Sequence, residues 1–210
     1  MSESDSCGCH GDTGRAERDP AYRRALWLVV LLNLGFGVAE SVGGFIADSQ
    51  ALKADALDFL GDGSITFVGL LALAWSERAR AKVALVQGLF LGGLGLFVVA
   101  MAAWRVMNVV PPEAELMGGI GVAALAVNVL AAWVLSRFRD GDANVRAVWL
   151  FSRNDALANI AVIAAAGLVM WTRSGWPDLI VAAAIALLFL HSSYEIVRGA
   201  RRELAKAPTS

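Results

Sequence analysis

Cysteine is nearly missing from this chain of 210 residues: only Cys7 and Cys9 occur, both in a polar N-terminal stretch. Two thiols so placed cannot staple the rest of the fold, which excludes a disulfide scaffold. Proline is absent from the long apolar segments. Pro20, Pro111, Pro112, Pro177 and Pro208 all fall in tails or connections, as expected if the apolar segments are helices, whose interiors proline interrupts. An excess of one charge sign is missing too. The net charge is −1 and the sequence pI about 6.1, so no global basic field points to nucleic acid. The first 20 residues lack the apolar segment of a signal peptide.

Apolar residues are what the chain has in quantity: 57% of the sequence, with a mean hydropathy of +0.58. A membrane-crossing helix needs roughly 20 mostly apolar residues. Apolar windows and their breakers predict six spans, at about 24–47, 51–75, 83–107, 115–138, 145–171 and 178–198. The predicted class is an all-α membrane protein with six transmembrane helices, joined by short connections and mostly packed as antiparallel hairpins. Residues 1–22 are expected to form a flexible cytoplasmic tail, 23–205 the transmembrane domain, and 206–210 a C-terminal tail with no cytoplasmic domain after it.

Positive charge sets the expected orientation. Arg15, Arg18, Arg23 and Arg24 precede the first span, and Arg78, Arg80 and Lys82 lie between the second and third. Arg137, Arg139 and Arg146 lie between the fourth and fifth, and Arg198, Arg201, Arg202 and Lys206 follow the sixth. All of these share one side of a six-span arrangement; Lys53, Arg105 and Arg173 sit opposite, and Arg153 lies inside the fifth span. By the positive-inside rule both termini are cytoplasmic. Trp27, Trp75, Trp104, Trp149, Trp171 and Trp176 fall near span ends, as interfacial anchors do. In the third span, Gly88 and Gly92 have the spacing that lets helices approach closely, either within one subunit or between two.

Ionisable groups inside a bilayer are costly and mark function. Five carboxylates lie inside the predicted spans away from their ends: Glu40 in the first, Asp55, Asp58 and Asp62 in the second, and Asp155 in the fifth. Asp58 and Asp62 are i,i+4 and stack on one helical face, which Asp55 shares. Like charges at this spacing repel, and desolvation adds to the cost, so the cluster asks for a cation. A divalent metal is the simplest; buried salt bridges to Lys53 and Arg153 are the bland alternative. Gly61 and Gly63 flank Asp62 and leave room for a facing helix or an ion. Asp155 is the natural partner from a second helix.

These residues resemble the cation diffusion facilitators, a family of proton-coupled exporters of zinc and related ions. The resemblance covers about residues 24–205. Asn33-Leu-Gly-Phe-Gly-Val-Ala-Glu40 is similar to the family's first span, and the run from Asp48 to Asp62 to its signature in the second. The family's metal-binding pair in that span falls here on Asp58 and Asp62. Its His-x-x-x-Asp in the fifth span falls on Phe151 to Asp155, with Phe151 standing where the family has histidine. Asn128 fits a span-four asparagine common in the family. The implied metal site is Asp58, Asp62 and Asp155, with Asn159, Ser152 or water as fourth ligand (Asn159 or water favoured) and Asp55 as a neighbouring residue or proton relay. An all-oxygen site tilts selectivity toward manganese, iron(II) or cobalt, while zinc and cadmium remain in reach.

The resemblance implies no enzyme and no prosthetic group. It implies a divalent metal, most simply Zn²⁺, as transported substrate, protons as counter-ion, and a homodimer in a bacterial inner membrane. Metal binds only deprotonated carboxylates, so loading releases protons and outside protons evict the metal. Two rivals are a passive metal channel or non-transporting metal-binding subunit, and an intramembrane aspartyl protease using Asp62 and Asp155 as a dyad. Secondary metal candidates are Cys7, Cys9 and His10 in the tail, and His191 with Glu195, i,i+4 in the sixth span. Asn33 and Glu40, seven apart, share a face of the first span and either line the polar pathway or bond to neighbouring helices.

Overall fold

A computed structural model describes the backbone of residues 19–72, 75–138 and 143–206. The tail candidates Cys7, Cys9 and His10 lie outside the described residues, as do the side chains of Trp149, Phe151, Ser152 and Arg153. The described residues form six helices and no strand: α1 (Pro20–Ile46), α2 (Gln50–Ala72), α3 (Glu77–Val106), α4 (Ala114–Ser136), α5 (Ala143–Thr172) and α6 (Trp176–Lys206).

Local chemistry explains the helix starts. Asp19 caps α1 by accepting from the Ala21 N–H at 2.8 Å, and Pro20 fills the first turn, where its missing N–H costs nothing. Ser76 caps α3 through the Ala79 N–H at 3.3 Å. That cap lies seven residues before the apolar window begins, so α3 runs into its basic approach, and α6 likewise continues through Arg198–Lys206. Once nucleated, a helix extends through charged residues that hydropathy excludes.

Five of the helices, all but α2, are long and apolar enough to cross a membrane. The exception has a specific cause. Every window of 18 residues within α2 contains Asp55, Asp58 and Asp62, one acidic residue more than the two such a window tolerates.

Packing departs from the expected row of hairpins. The α1–α2 and α4–α5 neighbours do pack closely, but α3 and α4 do not touch, and α3 packs along α6 instead. The reason is steric. A methyl group added at Gly88 would come within 2.9 Å of Ile196 and Val197, and one at Gly92 within 2.5 Å of the Ser193 hydroxyl. The close approach made by this glycine pair is therefore intramolecular, and the Ser193 hydroxyl seals it by donating to the Gly88 carbonyl at 2.7 Å. In the centre, α2 touches each of the other five helices.

Two apolar clusters bracket the interior. One, of Tyr22, Val29, Ala131 and Leu135, joins the start of α1 to the end of α4. The larger, including Ala47, Leu52, Met117, Val162 and Phe189, gathers nearer the opposite end and along α3 and α6. Along α1 the buried polar residues Asn33 and Glu40 fall between Val29 and Ala47, so the chain's polar interior is held between two dry layers.

Candidate metal site

The α1–α2 connection is three residues long and locks the start of α2 in place. Asp48 takes a left-handed conformation, φ 51°, which aspartate tolerates better than most residues. Ser49 accepts from the Leu52 N–H at 3.0 Å, the usual capping geometry. Asp178 of α6 then completes the cap. It accepts from the Ser49 hydroxyl at 2.5 Å, the Gln50 N–H at 2.8 Å and the Ala51 N–H at 3.0 Å. A carboxylate here faces the positive end of the helix dipole and the otherwise orphaned N–H groups. Sequence reading passed over Asp178 as the first residue of a span; nothing in its spacing signals that it serves a helix more than a hundred residues away.

With its start held, α2 carries its aspartates inward at fixed heights. Asp62 and Asp155 meet across the α2–α5 gap with their carboxyls in hydrogen-bonding range, and Asp58 stands close enough to both for its charge to act on them. All three are half-buried. Two helices therefore bring the three expected carboxylates together. They do not close on one point: among the described residues, no three His, Cys, Asp or Glu side chains are gathered tightly enough to hold an ion as they stand. Like charge opposes a tighter gathering.

No described cation serves the cluster. Lys53, the expected salt-bridge partner, bonds Asp48 at 3.4 Å and lies over the Phe45 ring, and Arg105 pairs with the same Asp48. Gly63 earns its place beside Asp62, since a methyl group there would strike Leu34 at 2.8 Å and the Asn33 Cβ at 3.2 Å. Gly61 does not: a methyl there would meet only Leu91, at an ordinary 3.5 Å.

One turn along, a chain of buried polar groups crosses the bundle. Asn128 of α4 donates to the Asn159 Oδ1 at 2.8 Å, and the Asn159 Nδ2 donates to Asp55 at 2.6 Å. Asn159, 0% exposed, has one amide end on each neighbour, so in this arrangement it bridges α4 and α2 rather than reaching for Asp58, Asp62 or Asp155. Asp55 continues the chain toward Glu40, which is 1% exposed. Neither Glu40 oxygen has a donor of normal geometry, and the Asn33 Oδ1 is likewise buried without one. His191 and Glu195 lie on an exposed face of α6, apart from this interior.

The arrangement is that of a polytopic helical membrane protein with an acidic, cation-seeking interior. The chain belongs to the cation efflux family: the model of the cation efflux transmembrane domain matches residues 26–205. It is 32% identical to the zinc transporter ZitB of Escherichia coli over 192 residues, which cover 84% of this chain and 61% of that protein. It is 27% identical to the cadmium, cobalt and zinc/H(+)-K(+) antiporter of Bacillus subtilis over 201 residues, 88% of this chain and 64% of the relative. Identity to the metal cation efflux system protein CzcD of Cupriavidus metallidurans is 28% over 189 residues, 83% and 59% of the two chains. The chain thus spans about three fifths of the length of these relatives.

Proposed function

We propose that this protein exports a divalent transition-metal cation, Zn²⁺ first and Cd²⁺, Co²⁺, Mn²⁺ or Fe²⁺ as further cargo, in exchange for protons. One observation carries the reading: Asp58 and Asp62 of α2 and Asp155 of α5 face one another inside a membrane bundle with no described cation beside them. Clustered anions in a membrane interior with no described cation beside them demand either protons or a metal, and a transporter alternates between the two. The names of the relatives, which include a zinc transporter and a cadmium, cobalt and zinc/H(+)-K(+) antiporter, agree with it.

In this reading α2 crosses the bilayer as a sixth span, both termini are cytoplasmic, and the protein works as a homodimer in a bacterial inner membrane. Asp58, Asp62 and Asp155 supply three oxygens, and the fourth comes from water or from Asn159 released from its bridge. With the site open inward, the metal displaces protons; after the helices rearrange, outside protons return to the carboxylates and the metal leaves. Metal affinity therefore rises with pH, because protons compete for the same oxygens.

The test is metal-driven proton movement in sealed proteoliposomes. Wild type moves protons on addition of Zn²⁺, and Asp62→Ala and Asp155→Ala do not; undiminished movement in either variant refutes the assignment. Flux that ignores an imposed pH gradient identifies a passive channel. The close approach of Asp62 and Asp155 would also suit a protease dyad, but Asp58 has no task there and the family is one of cation efflux.

A further inference from the structure

We propose a second cation-binding position, built by Glu40 and Asp55, on the path between the Asp58–Asp62–Asp155 site and the end of the bundle that carries the α1–α2 connection. Its existence does not depend on that site being the transport site, although its role as a way-station does.

The geometry starts from helix heights. Asp55 precedes Asp58 by three residues, so it lies about 4.5 Å nearer the start of α2. Glu40 lies six residues before the end of α1, about 9 Å from the connection. The two helix ends are in contact there, since a methyl group at Gly44 would meet the Lys53 backbone nitrogen at 3.1 Å. Glu40 and Asp55 therefore face each other between the three-carboxylate layer and the capped end of α2.

Burial and partners carry the argument further. Both residues are 1% exposed. Both Glu40 oxygens lack a donor, and none of the described lysines or arginines faces them: Lys53 and Arg105 are turned away to Asp48. Asp55, by contrast, is held by Asn159, which Asn128 holds in turn. That bridge fixes one Asp55 oxygen and leaves the other toward Glu40. The result is one anchored carboxylate, a second that no described side chain but Asp55 reaches, and no described positive group, in a buried layer where an uncompensated charge is expensive. Such a pair takes a divalent cation with water completing its shell. Fewer protein oxygens than the three-carboxylate site make it the weaker of the two, as a stop on a path must be if the ion is to leave it.

The experiment counts ions. The full chain in lipid nanodiscs, carrying Cys7→Ser, Cys9→Ser, His10→Ala and His191→Gln in every sample so that those groups contribute nothing, is titrated calorimetrically with Zn²⁺ to saturation. The expected count is two per chain, falling to one in Glu40→Gln and to one in Asp55→Asn, while Glu40→Asp restores two. Asp155→Asn is also expected to leave one, and adding Glu40→Gln to it removes that one. A count of one before any change at Glu40, or a count that Glu40→Gln leaves at two, overturns the second position; the first of these outcomes includes the case where the pair merely shares a proton. A count that Asp155→Asn leaves unchanged defeats the three-carboxylate site and not this one.

Discussion

The α3–α6 pair and the group formed by α1, α2, α4 and α5 solve the same problem in opposite ways. In α3 and α6 the contact is shape: glycines at 88 and 92, the small Ser193, and branched side chains from the facing helix. In lipid no hydrophobic gain separates helix from helix, so close van der Waals contact has to hold the pair. The other four helices meet over amides and carboxyls, with Asn128, Asn159, Asp55 and Glu40 in line. A dry contact of the first kind tolerates little motion and has no use for any. An interior of the second kind is costly to hold, and in the function proposed above its use is to exchange a proton or an ion. On that proposal rigidity and function lie in different helix pairs, with α2 touching both.

Four measurements test that division, the most damaging first. Asp62→Ala should abolish metal-driven proton movement, a loss beyond the roughly 10–100-fold that mere outer-shell changes cost, while leaving the helical circular dichroism signal intact. Gly92→Val should do the reverse. Its new side chain meets Ser193, so thermal unfolding in detergent should show a loss of about 1–3 kcal/mol from overpacking, with Zn²⁺ affinity of the folded fraction unchanged. Asp178→Ala strips the cap from α2 and should cost about 1–2 kcal/mol; because it releases the helix that bears the ligands, it should also weaken Zn²⁺ binding, which Gly92→Val does not. Asn128→Ala and Asn159→Ala should each cost about 1 kcal/mol and fall short of additivity when combined, since both break the same bridge. Separate from these, Asp48→Asn should change stability by less than about 1 kcal/mol, and less again in high salt, as half-exposed ion pairs do.

Much of the site was legible before the fold. Asp58 and Asp62 announce themselves because i,i+4 carboxylates in an apolar run have no cheap explanation, and Asp155 is an acid in a second such run. Their convergence follows from the helices that carry them. The glycine pair was legible as a close contact but not as a contact with α6, because small-residue spacing names a face and not its partner. The place of Asn159 one turn after Asp155 offers it, beside water, as a fourth ligand; that its amide bridges Asn128 and Asp55 is something only the neighbouring helices reveal. At Gly61 no facing helix needs the room that its missing side chain leaves. Asp178 carried no signal at all, since an acid at a span end looks like ordinary solvent-facing punctuation.

Hydropathy and periodicity alone pointed to a helical bundle for a membrane, to the segments that form its helices, and to the second and fifth as the helices whose acids meet in its interior. Those properties are local: they depend on what each residue costs in lipid and on which face of its own helix it occupies. Which helix lies against which, what caps α2, and which buried oxygens are left without a donor belong to the tertiary structure, because each depends on a residue distant in the chain whose approach no local cost records.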